Sequence, residues 1–257
     1  MSLARPRHRA AAPSPARHLS ASAARHGELQ ARIRGLMRDT AQPVAVVTAI
    51  MPSGSSSASA SSTSASVLPV YHGATLSSFT SIAMDPHPLI AFALRLPSRM
   101  STALKAASKD WDAEGAHMVV NLLSAAQQSL ARKFARPDLY HDPFGSTHYR
   151  LNADGIPILD GSLGALTCRL VSAAVPLYDR AYLKALGVDE PPEAVIPKLQ
   201  SGGVISELFV AEVLRVEEST ALYEGQDDLQ SLPLLYHRQA FTTILPPPTP
   251  LNPPDEE

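Results

Sequence analysis

The stretch His72–Pro88, HGATLSSFTSIAMDPHP, decides how the rest of the chain is read. It carries too many hydroxyls for an ordinary buried strand and too little charge for a surface one. As a strand it presents Thr75, Ser77, Phe79 and Ser81 on one face and Leu76, Ser78, Thr80 and Ile82 on the other. A core strand would fill one face with Val, Ile or Leu. These hydroxyls need something to hold.

Working outward, the β-branched run PVAVVTAIM (Pro43–Met51) is a strand, and it is separated from the hydroxyl strand by PSGSSSASASSTSAS (Pro52–Ser66). A Ser/Ala tract cannot bury enough apolar area to order itself, so the two strands read as a hairpin with an enlarged loop, residues 53–66 forming a disordered insert. PHPLIAFAL is a short continuous apolar run, as in a strand covered on both faces. PSRMSTALKAASKD reads as a helix with Ser98 or Ser101 as N-cap. HMVVNLLS is a buried strand that ends in a Ser124-x-x-Gln127 capping box, which opens a further helix. GIPILDGSLGALTCRLVSA gives two strands joined at Asp160-Gly161. SELFVAEVLRVEE and LLYHRQAFTTI give one strand each, with a helical insertion at 176–203 before them. On the N-terminal side, Leu29, Ile33, Leu36 and Met37 mark an amphipathic helix over Glu28–Arg38. The Pro-rich tail 246–257 can be neither helix nor central strand. Strands dominate and follow one another without βαβ repeats, so the fold class is mainly β, an antiparallel barrel with peripheral helices.

Composition narrows the function classes. Residues 1–26 hold five arginines and no acidic residue among many Ala and Ser, the pattern of a mitochondrial transit peptide, and Arg17–His26 resembles a two-step processing site. Removing those five from the 22 Lys and Arg leaves 17 against 24 Asp and Glu, a net charge of −7 for a mature domain at 27–245 with its tail. Such an acidic protein is a poor nonspecific nucleic-acid binder. The longest apolar run, LIAFAL, is far short of a membrane span. Cys168 is the only cysteine, which excludes an internal disulfide and reads as a core residue. No phosphate-binding glycine loop, zinc helix motif or nucleophile elbow occurs, and His141 and His148 sit in a Pro/Gly/Asp loop as solvated residues.

From about Leu36 to Ile244 the chain resembles the flavin reductase-like family. The landmarks run in order: GATLSSFTSIAMDPHPLIAFAL, then SRMST, VVNLLSAAQQSLARKFA, GIPILDGSLGALTCRL, ELFVAEV and LLYHRQAF. The resemblance implies an FMN-binding split barrel of Greek-key topology, homodimeric, with FMN or FAD as cofactor and NAD(P)H as electron donor. The composition of residues 1–26 adds the mitochondrial matrix as the expected location, and the acidic mature charge and short apolar runs leave no nucleic-acid partner and no membrane span expected. On the matching positions, Thr75, Leu76, Ser77, Ser78, Phe79 and Asn121 would line the flavin. Ser98, Arg99 and Thr102 would take its phosphate, a task suited to a helix N-terminus. No catalytic side chain and no metal ligand is implied, because hydride transfer is centred on the flavin. One departure stands out: family members that use NAD(P)H commonly carry Gly-Asp-His before ELFVAEV, and here Ser206 occupies the histidine position. That substitution keeps a second reading open, a non-catalytic barrel serving as an interaction or assembly module.

Overall fold

The computed structural model describes residues 15–52, 69–109, 115–186, 205–218 and 227–244. The Ser/Ala insert, the tail at 246–257 and most of the 176–203 insertion lie outside them. The described residues fall into two compact units, one made of Pro15–Ala41 with His237–Gln239, the other of the remaining described residues.

In the first unit α1 runs from Pro15 to Arg38. It begins well before the expected Glu28 and passes through the expected cleavage point after His26. The added turns are rich in Ala, Ser and Arg, which form helix without apolar periodicity, so a search for periodicity misses them. Asp39 N donates to Leu36 O and Thr40 Oγ1 to Met37 O, closing the last turn. The exposed side chains of Leu29, Ile33, Leu36 and Met37 form the predicted stripe.

The remaining elements, in chain order, are β1 (Gln42–Pro43), β2 (Ala45–Ile50), β3 (Tyr71–Leu76), β4 (Thr80–Ala83), β5 (Leu89–Leu96), α2 (Arg99–Ala107), β6 (Met118–Leu122) and α3 (Gln128–Ala135). They continue with β7 (Tyr149–Leu151), β8 (Pro157–Leu159), β9 (Gly164–Leu170), β10 (Val175–Pro176), α4 (Arg180–Ala185), β11 (Ile205–Glu217), α5 (Asp227–Ser231), β12 (Leu235–His237) and β13 (Ala240–Thr242). The main sheet has the order β3-β2-β6-β9-β11-β5-β4, antiparallel throughout, with β10 added beside β11.

This order forces the sheet to curl. β3 and β4 are consecutive in sequence yet stand at opposite ends of the sheet, joined only by Ser77–Phe79. Laid flat, seven strands would separate the end strands by about 29 Å. The link from Leu76 to Thr80 spans at most about 14 Å when fully extended. The ends must therefore approach, which makes the sheet a split barrel. Ser78 closes the seam: its hydroxyl donates to Ala93 O at 3.1 Å and accepts from Ala93 N at 3.0 Å, continuing the ladder that pairs Thr80 with Ala91. The hydroxyl stretch is thus strand, bend and strand, not the continuous strand that its alternation predicts.

β2 is buried on both faces. Ala45, Val47 and Ala49 enter the barrel core with Phe92, Phe209, Met100 and Leu104, the two Phe rings stacked 5.6 Å apart. Val44 and Val46 enter a second core with Phe134, Phe144 and Leu234. Gly73 makes this second core possible, since a Cβ there would sit 2.5 Å from the buried Phe134 ring. The predicted β2–β3 hairpin forms, Ser98 caps α2, and Gln127 Oε1 accepts from Ser124 N in the capping box.

The two strands joined at Asp160-Gly161 form as β8 and β9, of which β8 pairs with β7 and β9 joins the main sheet. One expectation changes. LLYHRQAFTTI is not one strand, because Arg238 and Gln239 both adopt positive φ and turn β12 back into β13.

Candidate functional site

The seam is where the barrel leaves polar groups unengaged. Ser77 and Ser78 are exposed and Phe79 packs its ring on the barrel core. Outside the ladder, the amides of Ser77, Ser78 and Phe79 take no backbone partner among the described residues. Ser78 is committed to Ala93, whereas the Ser77 hydroxyl has no hydrogen-bond partner among the described residues. Thr75 donates its proton to Ala131 O at 2.7 Å, joining β3 to α3. Leu76 is buried in the core and contributes only its place in the chain.

β5 runs from the Ala93 gripped by Ser78 to the start of α2. Ser98 Oγ accepts from Ser101 N at 3.2 Å, and Ser98 O accepts from both the amide and the hydroxyl of Thr102. Among the described residues the amides of Arg99 and Met100 take no hydrogen-bond partner, as befits the first turn of a helix. Arg95 and Arg99 are exposed, and among the described residues neither forms an ion pair. His72, half-buried on β3, is pushed down to about 4 by desolvation and by the nearby Arg99, so it is neutral at pH 7. Exposed cations, small hydroxyls and amides without a backbone partner among the described residues, connected along β5, have the donor chemistry for a ligand that carries both a phosphate and a polar ring edge.

Ser206 lies across from Arg95 on β11, in the same register that pairs Leu208 with Ala93. Cross-strand partners share a face, so Ser206 belongs to the outer face reached by the seam. Its carbonyl accepts from Leu177 N at 3.1 Å, which roots the start of the insertion on this strand edge.

Asn121 is not part of this surface. It has no exposed area, and its amide nitrogen donates to Val46 O at 3.1 Å while its oxygen accepts from Leu159 N at 2.8 Å. It ties β2, β6 and β8 together inside the protein. Cys168 is buried, and desolvation pushes its thiol up to about 12, as suits a core residue.

His72, Arg95 and Glu207 are not among the site residues to which the sequence motifs point. His72 opens the quoted stretch, but a lone histidine carries no pattern. Arg95 becomes visible only through its register with Ser206. Glu207 did leave a signal: in SELFVAEV it shares phase with Phe209 and Ala211, placing a carboxylate on the buried face.

The described residues contain no cluster of His, Cys, Asp and Glu able to hold a metal, and no helix long and apolar enough to cross a membrane.

Residues 37–245 match the model of the flavin reductase like domain family. A flavin reductase of Pseudomonas putida is 35% identical over 100 residues, which cover 39% of this chain and 52% of that protein. FMN reductase (NADH) SmoA of Agrobacterium fabrum is 31% identical over 101 residues, 39% of this chain and 51% of that protein. The match thus spans about half the length of these curated relatives. Among solved structures, nitrilotriacetate monooxygenase component B from Mycobacterium thermoresistibile superposes with a TM-score of 0.56 at 20% identity, covering 90% of this chain and 96% of that one, a likeness of fold.

Proposed function

The chain belongs to the flavin reductase-like family, and from that premise we propose that it is an FMN-dependent oxidoreductase drawing hydride from NADH or NADPH. The observation that carries the reading is the seam: an exposed Ser77 hydroxyl and bend amides without a backbone partner among the described residues, linked along β5 to the N-terminus of α2, where the exposed Arg95 and Arg99 form no ion pair among the described residues. Ser77 and the amides of the bend would hold the polar edge of the isoalloxazine ring. Ser98, Arg99, Thr102 and the free amides of α2 would take the phosphate. When bound, the flavin supplies the acceptor for a hydride from reduced nicotinamide. The protein's part is position: a rigid barrel wall fixes the ring edge, and Phe79 keeps one flank apolar. No side-chain acid or base is needed, in keeping with the absence of a catalytic dyad in the sequence.

The relatives named as a flavin reductase and an FMN reductase (NADH) support the donor and acceptor classes. We extend the reading to a homodimer, the state implied by the family resemblance, and to the mitochondrial matrix, on the arginine-rich, acid-free composition of residues 1–26. N-terminal sequencing of the protein from isolated mitochondria tests the second: a start at Gly27 supports cleavage after His26, an intact Met1 contradicts it.

Ser206 favours one alternative, a barrel that binds flavin without turnover. Anaerobic titration of the FMN-loaded protein with NADH and NADPH separates the two. Bleaching of the flavin absorbance supports the oxidoreductase; a spectrum that stays oxidised with both donors supports the binding role.

A further inference from the structure

β11 carries a carboxylate on its buried face. Glu207 is 4% exposed, lies opposite Leu94 on β5, and is in phase with the core residues Phe209 and Ala211. Both of its oxygens are engaged by α2. Ser101 Oγ donates to Oε2 at 2.7 Å, and Lys105 Nζ donates to Oε1 at 2.6 Å. Ser101 is itself buried, whereas Lys105 keeps 44% of its side chain in solvent. The two are four residues apart, so they stand one turn above the other on the face that meets the barrel. At the root of the insertion, burial first and then the Glu207 and Asp179 carboxylates raise the Tyr178 hydroxyl.

Adhesion alone does not call for this arrangement. Met100, Ala103 and Leu104 already pack α2 into the core, and an apolar residue at 207 could add to that packing without the cost of burying a charge. What a carboxylate adds is direction. Hydrogen bonds from successive turns fix both the rotation of the helix and its height on the barrel, which dispersion contacts do not.

We infer that Glu207 is a positioning residue that pins α2 through Ser101 and Lys105, so that the first turn with Ser98, Arg99 and Thr102 is held where the flavin phosphate binds. This rests on the phosphate reading given above. It also gives β11 two tasks from neighbouring residues, Ser206 facing the outer surface and Glu207 anchoring the helix beneath it.

The test uses the full chain with Glu207→Gln, Glu207→Leu and the double variant Glu207→Leu/Lys105→Met, which removes both charges so that neither is left buried without its partner. Hydrogen–deuterium exchange and the affinities for FMN and riboflavin, which lacks the phosphate, are measured on each folded protein. The expected result is faster exchange confined to α2, FMN Kd raised about tenfold and riboflavin Kd within about twofold of wild type. Unchanged exchange in α2, or FMN and riboflavin affinities that fall together, would overturn the positioning role. A wild-type protein that binds FMN no better than riboflavin would instead overturn the phosphate reading on which it rests.

Discussion

Two sets of polar groups interrupt apolar strands in this protein, and they have opposite fates. Inside, Asn121 and Thr48 have no exposed surface and their hydrogen bonds close on the chain itself: Asn121 to Val46 O and Leu159 N, Thr48 to Pro157 O at 2.5 Å. At the seam, Ser78 closes on Ala93, but Ser77 is exposed and the amides of the bend take no backbone partner among the described residues. A buried polar side chain whose capacity is filled by backbone is architecture. One left open where the backbone itself is unpaired is available to a ligand. The same residue chemistry thus serves two purposes, and only the neighbours distinguish them.

The sharpest way to break this comparison is to remove a member of the inner set. Asn121→Ala leaves Val46 O and Leu159 N buried without their partner and detaches β8 from β6, at an expected cost of about 3 kcal/mol. Denaturant unfolding measures it, and the same variant, where still folded, should bind FMN with unchanged affinity. A folded Asn121→Ala protein that loses FMN would return this residue to the site.

The second effect belongs to the seam side. His72 sits well below its ordinary value, at about 4, through desolvation and then Arg99. Its folded state resists the proton that the unfolded chain accepts, so its contribution to stability is full above about pH 6.5 and declines as pH falls toward 4. Because the ring is half-buried, the expected loss is about 2 kcal/mol across that window. His117, buried and also shifted down by desolvation and then Arg169, acts in the same direction. Unfolding free energies measured from pH 7 to 4 should fall less in His72→Asn than in wild type; identical pH profiles would remove His72 from the account.

The smallest effect is the most specific. Ser77→Ala deletes one exposed hydroxyl, so the melting temperature should move by no more than about a degree, as for surface substitutions in general. FMN affinity should fall several-fold, corresponding to about 1 kcal/mol for one hydrogen bond. A variant that melts early and binds FMN normally would place Ser77 with the inner set.

Much of the fold was legible because it is written in local chemistry. The alternation of β11, the apolar runs of β2, β5 and β6, the Ser98 cap and the Ser124–Gln127 box each act within a few residues. What local pattern could not convey was closure. The stretch ATLSSFTS alternates like a strand, yet its middle residues cross from one end of the sheet to the other, and only the order of seven strands shows it. The same limit governs the site. Asn121 and Ser77 lie in equally suggestive motifs, and their difference depends on Val46, Leu159 and Ala93, residues far away in sequence. Glu207 was the opposite case, a visible anomaly in phase with core residues whose partners lie on α2.

The measurement that bears most directly on the central claim is amide hydrogen–deuterium exchange of the full chain with and without FMN. Protection confined to residues 75–79 and 98–102, with Thr48, Asn121 and Leu159 unchanged, is the predicted result. Protection elsewhere on the barrel, or none in either segment at saturating FMN, would contradict the assignment of the seam as the flavin site.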